Sequence, residues 1–273
     1  VDDCIDRGKT IHEGGSKYDF VSGLQVGIAN LGNSLAAIKK LVFEEWVVTG
    51  EELRRHLEND FEGPDGEAMR RRILSEVPKF GNADDYVDEL TRAGYAAYIE
   101  ELEKYRTVRD GRGPIGCRYF AGTSSISGNV PAGSIVPATP DGRKAWTPLA
   151  EGSSPSGGTD VNGPTAVFAS IAKLPTDKIT GGVLLNQKIA PAILDEPGNL
   201  KKLSAMLRGF FAGLKGWHVQ YNVIDRQTLL DAQAHPEEHR DLVVRVAGYS
   251  AFFTVLSPDT QNDIIARTEH VIP

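Results

Sequence analysis

The sequence predicts an α/β protein, and three observations carry the prediction. Apolar residues recur at helical spacing in several segments, Trp217-His218-Val219-Gln220-Tyr221-Asn222-Val223 alternates with the period of a β-strand, and the apolar run 242–246 has the length of a buried strand. Strands and helices alternate in the second half, which favours a layered α/β core, while residues 1–110 read mainly helical.

In chain order, Leu31, Leu35, Ile38 and Val42 fall on one helical face. Thr49 and Glu52 have capping-box spacing, each side chain answering the other's backbone N–H, ahead of a helix carrying Leu53 and Leu57. Gly63-Pro64-Asp65-Gly66 reads as a turn. Met69 with Ile73 suggests another helix, and Tyr86, Leu90, Ala93 and Ala97 a longer one running toward Arg106. Between 111 and 163 the composition shifts to Gly, Ser, Pro and Thr, with turn signals at Asp141-Gly142-Arg143, Gly152-Ser153-Ser154-Pro155 and Gly157-Gly158. A flexible linker is one reading; the embedded Tyr119, Phe120 and Trp146 favour ordered loops packed around something. Helices are predicted at 165–174 and 200–211, separated by Gly181-Gly182 and Asn186-Gln187-Lys188. After the strand at 217–223, a helix through Leu229, Leu230 and Ala232 ends before Pro236, and Ser257-Pro258 supplies the N-cap and first residue of a last helix with Ile264 and Ile265.

Composition narrows the function. The chain has 273 residues, 40% of them hydrophobic, enough for one large core or two modest ones. Its net charge of -7 lies in mixed clusters such as Glu51-Glu52-Leu53-Arg54-Arg55-His56, without the basic stripe of a nucleic-acid binder. No apolar run approaches the roughly 20 residues of a membrane helix, and no secretory pattern opens the chain, so the expected compartment is cytoplasmic. Cys4 and Cys117 are too few for a disulfide framework or a four-cysteine metal cluster, and the six histidines form no metal-ligand pattern. His235 and His239 have helical spacing, but Pro236 interrupts it. The Gly-rich stretches lack phosphate-loop and dinucleotide patterns, and Thr123, Ser124 and Ser125 have no His and carboxylate arrangement beside them. The opening Val1-Asp2-Asp3, without an initiator Met, is expected of a processed, truncated or fragmentary chain.

The most informative segment is Arg245-Val246-Ala247-Gly248-Tyr249-Ser250. Loss of an α-hydrogen from glycine leaves a nearly planar carbon between an amide nitrogen and a carbonyl, both able to delocalise an unpaired electron. The missing side chain also permits close approach and restricted turns. Alone, Ala-Gly-Tyr is only a bend. In this context the segment resembles the C-terminal radical motif of glycyl radical enzymes. Gly27-Ile28-Ala29-Asn30, Pro137-Ala138-Thr139-Pro140-Asp141-Gly142-Arg143, Asn162-Gly163-Pro164-Thr165, Leu185-Asn186-Gln187-Lys188 and His218-Val219-Gln220-Tyr221-Asn222-Val223 resemble, in order, further landmarks of the dehydratase and lyase branch.

The resemblance implies the C-terminal portion of a ten-stranded, pyruvate formate-lyase-like barrel with surrounding helices, in which 1–140 belongs to the lyase barrel, incomplete at its N-terminus, and 141–273 is the glycyl radical domain. It implies a radical generated after translation at Gly248 by a separate activating enzyme that carries S-adenosylmethionine and an iron-sulfur cluster, with no metal bound by this chain. The stored radical then activates a cysteine that takes hydrogen from substrate and later returns it. That cysteine belongs to an earlier loop of the family, and neither Cys4 nor Cys117 fits its motif, so the isolated chain is expected to be inactive without the missing N-terminal portion. A homodimer is the implied assembly.

Within the branch, Pro148-Leu149-Ala150-Glu151-Gly152 and Gly209-Phe210-Phe211-Ala212-Gly213 resemble the sulfite-lyases that split isethionate into acetaldehyde and sulfite. Arg118 offers rigid donors to a small anionic substrate and Phe120 an apolar wall; Arg118 suits a carboxylate or a structural pair equally. His218 and Gln220 share a predicted strand face, with solvated or supporting roles set against direct catalysis. Arg143, Lys144 and Lys188 either face an anion or neutralise carboxylates and loop carbonyls. The alternatives are a diol or hydroxyproline dehydratase, a choline lyase, or a noncatalytic glycyl radical carrier.

Overall fold

The computed structural model describes residues 1–109, 116–123, 127–195 and 197–271. The first predicted helix begins as α1, Ile28–Ala37, and runs on into a π-helical segment, Ile38–Glu44. It packs along α4, Asp85–Leu102. The two helices touch at Gly32, where an added Cβ would fall 1.8 Å from Thr91 Oγ1, so only glycine permits this approach. Ala29, Ala36, Ala37 and Val87 close the same core without exposure. Thr49 and Glu52 form the expected reciprocal box at the start of α2, Gly50–Glu58. Gly63-Pro64-Asp65-Gly66 departs from expectation: it is the first turn of α3, Gly63–Glu76, because the fixed φ and missing N–H of Pro64 suit a helix start as well as a turn.

The segment expected to run as loops contains a strand. In it, β2 (Arg118–Gly122) pairs in parallel with β1 (Phe20–Leu24), from Phe20 beside Arg118 to Leu24 beside Gly122. Neither strand announces itself, since Ser22, Gly23, Ala121 and Gly122 dilute the β-formers. A short α5 (Asn129–Gly133) follows, and then α6 (Pro164–Ala172), close to its predicted bounds.

The second sheet has three parallel strands, with β3 (Asn186–Ile189) central between β4 (Gln220–Val223) and β7 (Glu269–His270). All four β3 residues are buried although three are polar, so apolar patterning could not reveal it. The predicted strand 217–223 is shortened to its last four residues; Trp217 is half exposed and His218 binds elsewhere. Between β3 and β4 runs α7 (Pro197–Arg208), extended by a π turn at Gly209–Gly213.

Asp225 caps α8 (Arg226–Ala234), and Ser257 caps α9 (Pro258–Ala266) as expected. They share one core with an antiparallel pair, β5 (Val243–Arg245) and β6 (Ser250–Phe252), which includes Leu229, Val244, Val246, Phe253 and Ile264. The apolar run 242–246 is therefore one arm of a hairpin, with Val243 outside and Val244 inside. No helix among the described residues is long and apolar enough to cross a membrane.

Candidate functional site

Gly248 lies in the turn of the β5–β6 hairpin. Arg245 pairs with Ser250, and the Val246 N–H donates to the Tyr249 carbonyl at 2.9 Å, leaving Ala247 and Gly248 to reverse the chain. Gly248 has φ 78°, in the left-handed region, the sign that a type II turn requires at its second central residue. Val246 and Ala247 are buried and act as the foot of the turn, whereas Gly248 is exposed. A buried base thus carries the glycine turn.

Polar side chains fasten this base to the parallel sheet. Asn222 of β4 accepts from the Arg245 N–H at 2.7 Å and donates to the Arg245 carbonyl at 2.7 Å. Arg267 donates to the Val246 carbonyl at 2.9 Å and is held by Asp263 at 2.9 Å. The Arg245 guanidinium spans the turn, reaching Gln220 Oε1 at 2.8 Å, Ser250 Oγ at 3.3 Å and the Gly248 carbonyl at 3.4 Å. Since arginine only donates, Gln220 must turn its oxygen to Arg245 and its amide nitrogen to Asn186 Oδ1. Asn186 then directs its own nitrogen to Glu151 Oε2 and to the Val246 carbonyl.

Glu151 is held in place by the start of α1. The Gly27 N–H donates to the Ala150 carbonyl at 2.8 Å, and Asn30 Oδ1 accepts from the Ala150 N–H at 2.7 Å. Burial pushes the Glu151 carboxyl up to about 8; Arg267 opposes this and Asp263 adds to it. Its Oε2 also accepts from Ser154, whereas Oε1 is buried with no partner among the described residues. A cavity of about 410 Å³ opens beside it, bounded by Glu151, Asn186, Gln187, Lys188 and Arg267 among others; neither Gly248 nor Arg118 lines it.

Arg118 and Phe120 are not among the residues that bond to the glycine turn. Arg118 begins β2 with its side chain exposed, and Phe120, two residues along the same strand face, packs edge to face on Phe20 at 5.8 Å. The described structure links this region to the hairpin through Ser127, whose hydroxyl is 2.9 Å from the Tyr249 hydroxyl. Thr123 accepts from the Leu184 N–H at 2.7 Å; Ser124 and Ser125 lie outside the described residues. His218 Nδ1 accepts from the Leu185 N–H at 3.4 Å, and burial, then Arg245, lower its pKa. Arg143 binds the Val136, Pro137 and Thr147 carbonyls, Lys144 binds Glu67 and the Asp60 carbonyl, and Lys188 binds the Ile265 carbonyl. These contacts neutralise loop carbonyls and Glu67, and all three cations also border the cavity beside Glu151. Cys4 and Cys117 are of intermediate burial, and the Cys117 thiol donates to the Arg109 carbonyl at 3.2 Å.

Sequence reasoning did not single out Glu151, Asn186, Asn222 or Arg267. Glu151, Asn186 and Asn222 lie inside segments that resemble family landmarks, but only their buried hydrogen bonds show what they do.

This hairpin, which sets a positive-φ glycine on a buried base, agrees with the family comparisons. The Pyruvate formate lyase-like model matches residues 1–133 and the Glycine radical model residues 149–254. The chain belongs to the pyruvate formate lyase-like glycyl radical enzymes, and its mixed α/β fold is that of their core. Among its relatives, a probable dehydratase, YbiW of Escherichia coli, is 61% identical over all of this chain and 34% of its own length. The isethionate sulfite-lyase of Oleidesulfovibrio alaskensis is 43% identical over 90% of this chain and 29% of its own. The glycerol-bound B12-independent glycerol dehydratase from Clostridium butyricum superimposes with TM-score 0.89 at 47% identity, covering all of this chain and 33% of that one. The chain therefore spans about a third of the length of the relatives it resembles.

Proposed function

We propose that this chain is the radical-bearing C-terminal part of a glycyl radical lyase that expels a leaving group from a small hydroxylated substrate, with Gly248 storing the unpaired electron. The observation that carries the reading is the positive-φ Gly248 in a turn set on a buried base, inside the segment that fits the Glycine radical model. An activating enzyme with S-adenosylmethionine and an iron-sulfur cluster removes one α-hydrogen atom from Gly248. The radical passes to a cysteine contributed by the N-terminal portion, which takes a hydrogen atom from the carbon bearing the substrate hydroxyl. The neighbouring carbon then releases its substituent, and the cysteine returns the hydrogen. In this reading 1–140 completes a ten-stranded barrel with the N-terminal portion, 141–273 forms the radical domain, and the working unit is a homodimer.

For the leaving group, the higher identity to a probable dehydratase and to the glycerol dehydratase favours water. Isethionate, with sulfite leaving, is the second reading, supported by the exposed Arg118 guanidinium on the same strand face as Phe120 and by the sulfite-lyase relatives. Anaerobic activation of the complete protein, followed by parallel assays on glycerol, propane-1,2-diol, trans-4-hydroxyproline, choline and isethionate, separates these outcomes. Aldehyde production from a diol supports the dehydratase, and sulfite release the sulfite-lyase. A radical-bearing protein inert to all five contradicts both.

A further inference from the structure

Glu151 is remote from Gly248 in sequence, yet three side chains connect them. Every bond in that connection has one possible direction. Arg245 donates to the Gly248 carbonyl and to Gln220; Gln220 donates to Asn186; Asn186 donates to Glu151. Each amide is thereby locked against a flip, and Glu151 is the terminal acceptor. Both of its donors, Asn186 and Ser154, converge on Oε2, while Oε1 accepts nothing. The acceptor at Oε2 is required whether or not the carboxyl carries a proton, and a proton has its place on Oε1. The groups facing it are Asp263 from α9, Arg267 just after that helix, Asn186 from β3 and Ser154 from its own loop.

We infer that Glu151 is a positioning residue for the glycine turn, holding Asn186 and Gln220 in the one orientation that keeps the Arg245 guanidinium on the Gly248 carbonyl. The inference rests on the reading of Gly248 as the radical carrier. Removing this acceptor leaves Asn186 Nδ2 only its 3.4 Å bond to the Val246 carbonyl, so the amide that supports Gln220 is held more loosely and so is the guanidinium's acceptor there. The consequence falls on the carbonyl that shares the unpaired electron.

The test uses the complete protein, activated without oxygen, with radical per protomer and its hyperfine pattern read by electron paramagnetic resonance. Glu151→Leu and Gln220→Leu are each expected to lower radical yield about tenfold, or to broaden the hyperfine pattern, from the loss of one buried hydrogen-bond partner. Combined, they should do little more than either alone, because they cut the same connection. Glu151→Gln, which keeps an acceptor at Oε2, should hold the wild-type spectrum and yield. A merely structural role predicts instead that Leu and Gln variants with equal thermal stability give equal spectra. Wild-type spectra in both Leu variants overturn the positioning role and leave the radical reading standing; an activated wild type without radical overturns both.

Discussion

The side chain of Asn222 pairs with both backbone groups of Arg245, accepting from its N–H and donating to its carbonyl, each at 2.7 Å. A side-chain amide here does the work of a strand partner. It joins the antiparallel hairpin to the parallel sheet at the residue whose guanidinium spans the glycine turn. Asn222→Ala removes both bonds and leaves two backbone groups without their partner, so a loss of about 2–3 kcal/mol is expected. Denaturant unfolding of the variant, with amide exchange at Arg245 as the local readout, checks it; unchanged exchange there contradicts the role.

The contact of α1 with α4 gives a second expectation. At Gly32 a methyl group would overlap Thr91, whose hydroxyl is already bonded to the Val87 carbonyl at 2.8 Å. Gly32→Ala should therefore destabilise by about 1–3 kcal/mol despite alanine's better helix propensity. Pairing it with Thr91→Ala, which clears the space, should recover part of the loss in a thermal melt.

Glu151 makes stability depend on pH. Burial holds its carboxyl up at about 8, against an ordinary 4.5, with Arg267 lowering and Asp263 raising it. Over that window the folded protein keeps a proton that the unfolded chain has released, so stability from this group falls as pH rises and levels off above about 8. Glu151→Gln should flatten the difference between urea midpoints measured near pH 5 and pH 8, roughly the edges of the window. An unaltered pH profile in the variant would mean that another group sets it.

Arg118 separates the two leaving-group readings. If it binds a sulfonate, Arg118→Lys should raise KM for isethionate about tenfold or more, because an ammonium cannot reproduce the planar fork. Turnover of an uncharged diol should change little. Equal losses on both substrates would indicate that Arg118 supports the strand.

Much of the fold was legible because helix signals are local. The capping box at Thr49 and Glu52, the cap at Ser257 and the stop before Pro236 each depend on a few neighbouring residues. The strands that matter most for the site were hidden for a physical reason. Asn186, Gln187 and Lys188 are buried and polar, satisfied by partners distant in sequence, so no apolar alternation marks β3. Gly63–Gly66 misled because proline opens turns and helices alike. Gly248 was found through its motif; its supports were not, because the link from Glu151 to Arg245 exists only after four segments have come together.

Substitution at position 248 combines backbone and chemistry. Gly248→Ala places a methyl group on a residue with φ 78°, a strain of about 1–2 kcal/mol confined to the turn, so the variant should fold with slightly reduced stability while forming no radical. Circular dichroism and a thermal melt separate that result from misfolding.

The most direct measurement is the paramagnetic resonance spectrum of the complete protein, activated without oxygen, prepared with ordinary glycine and with α-deuterated glycine. A doublet from the one remaining α-hydrogen, collapsing to a single line on deuteration and absent in Gly248→Ala, is the expected result. Full substrate turnover by a protein that shows no such spin would contradict the assignment of Gly248.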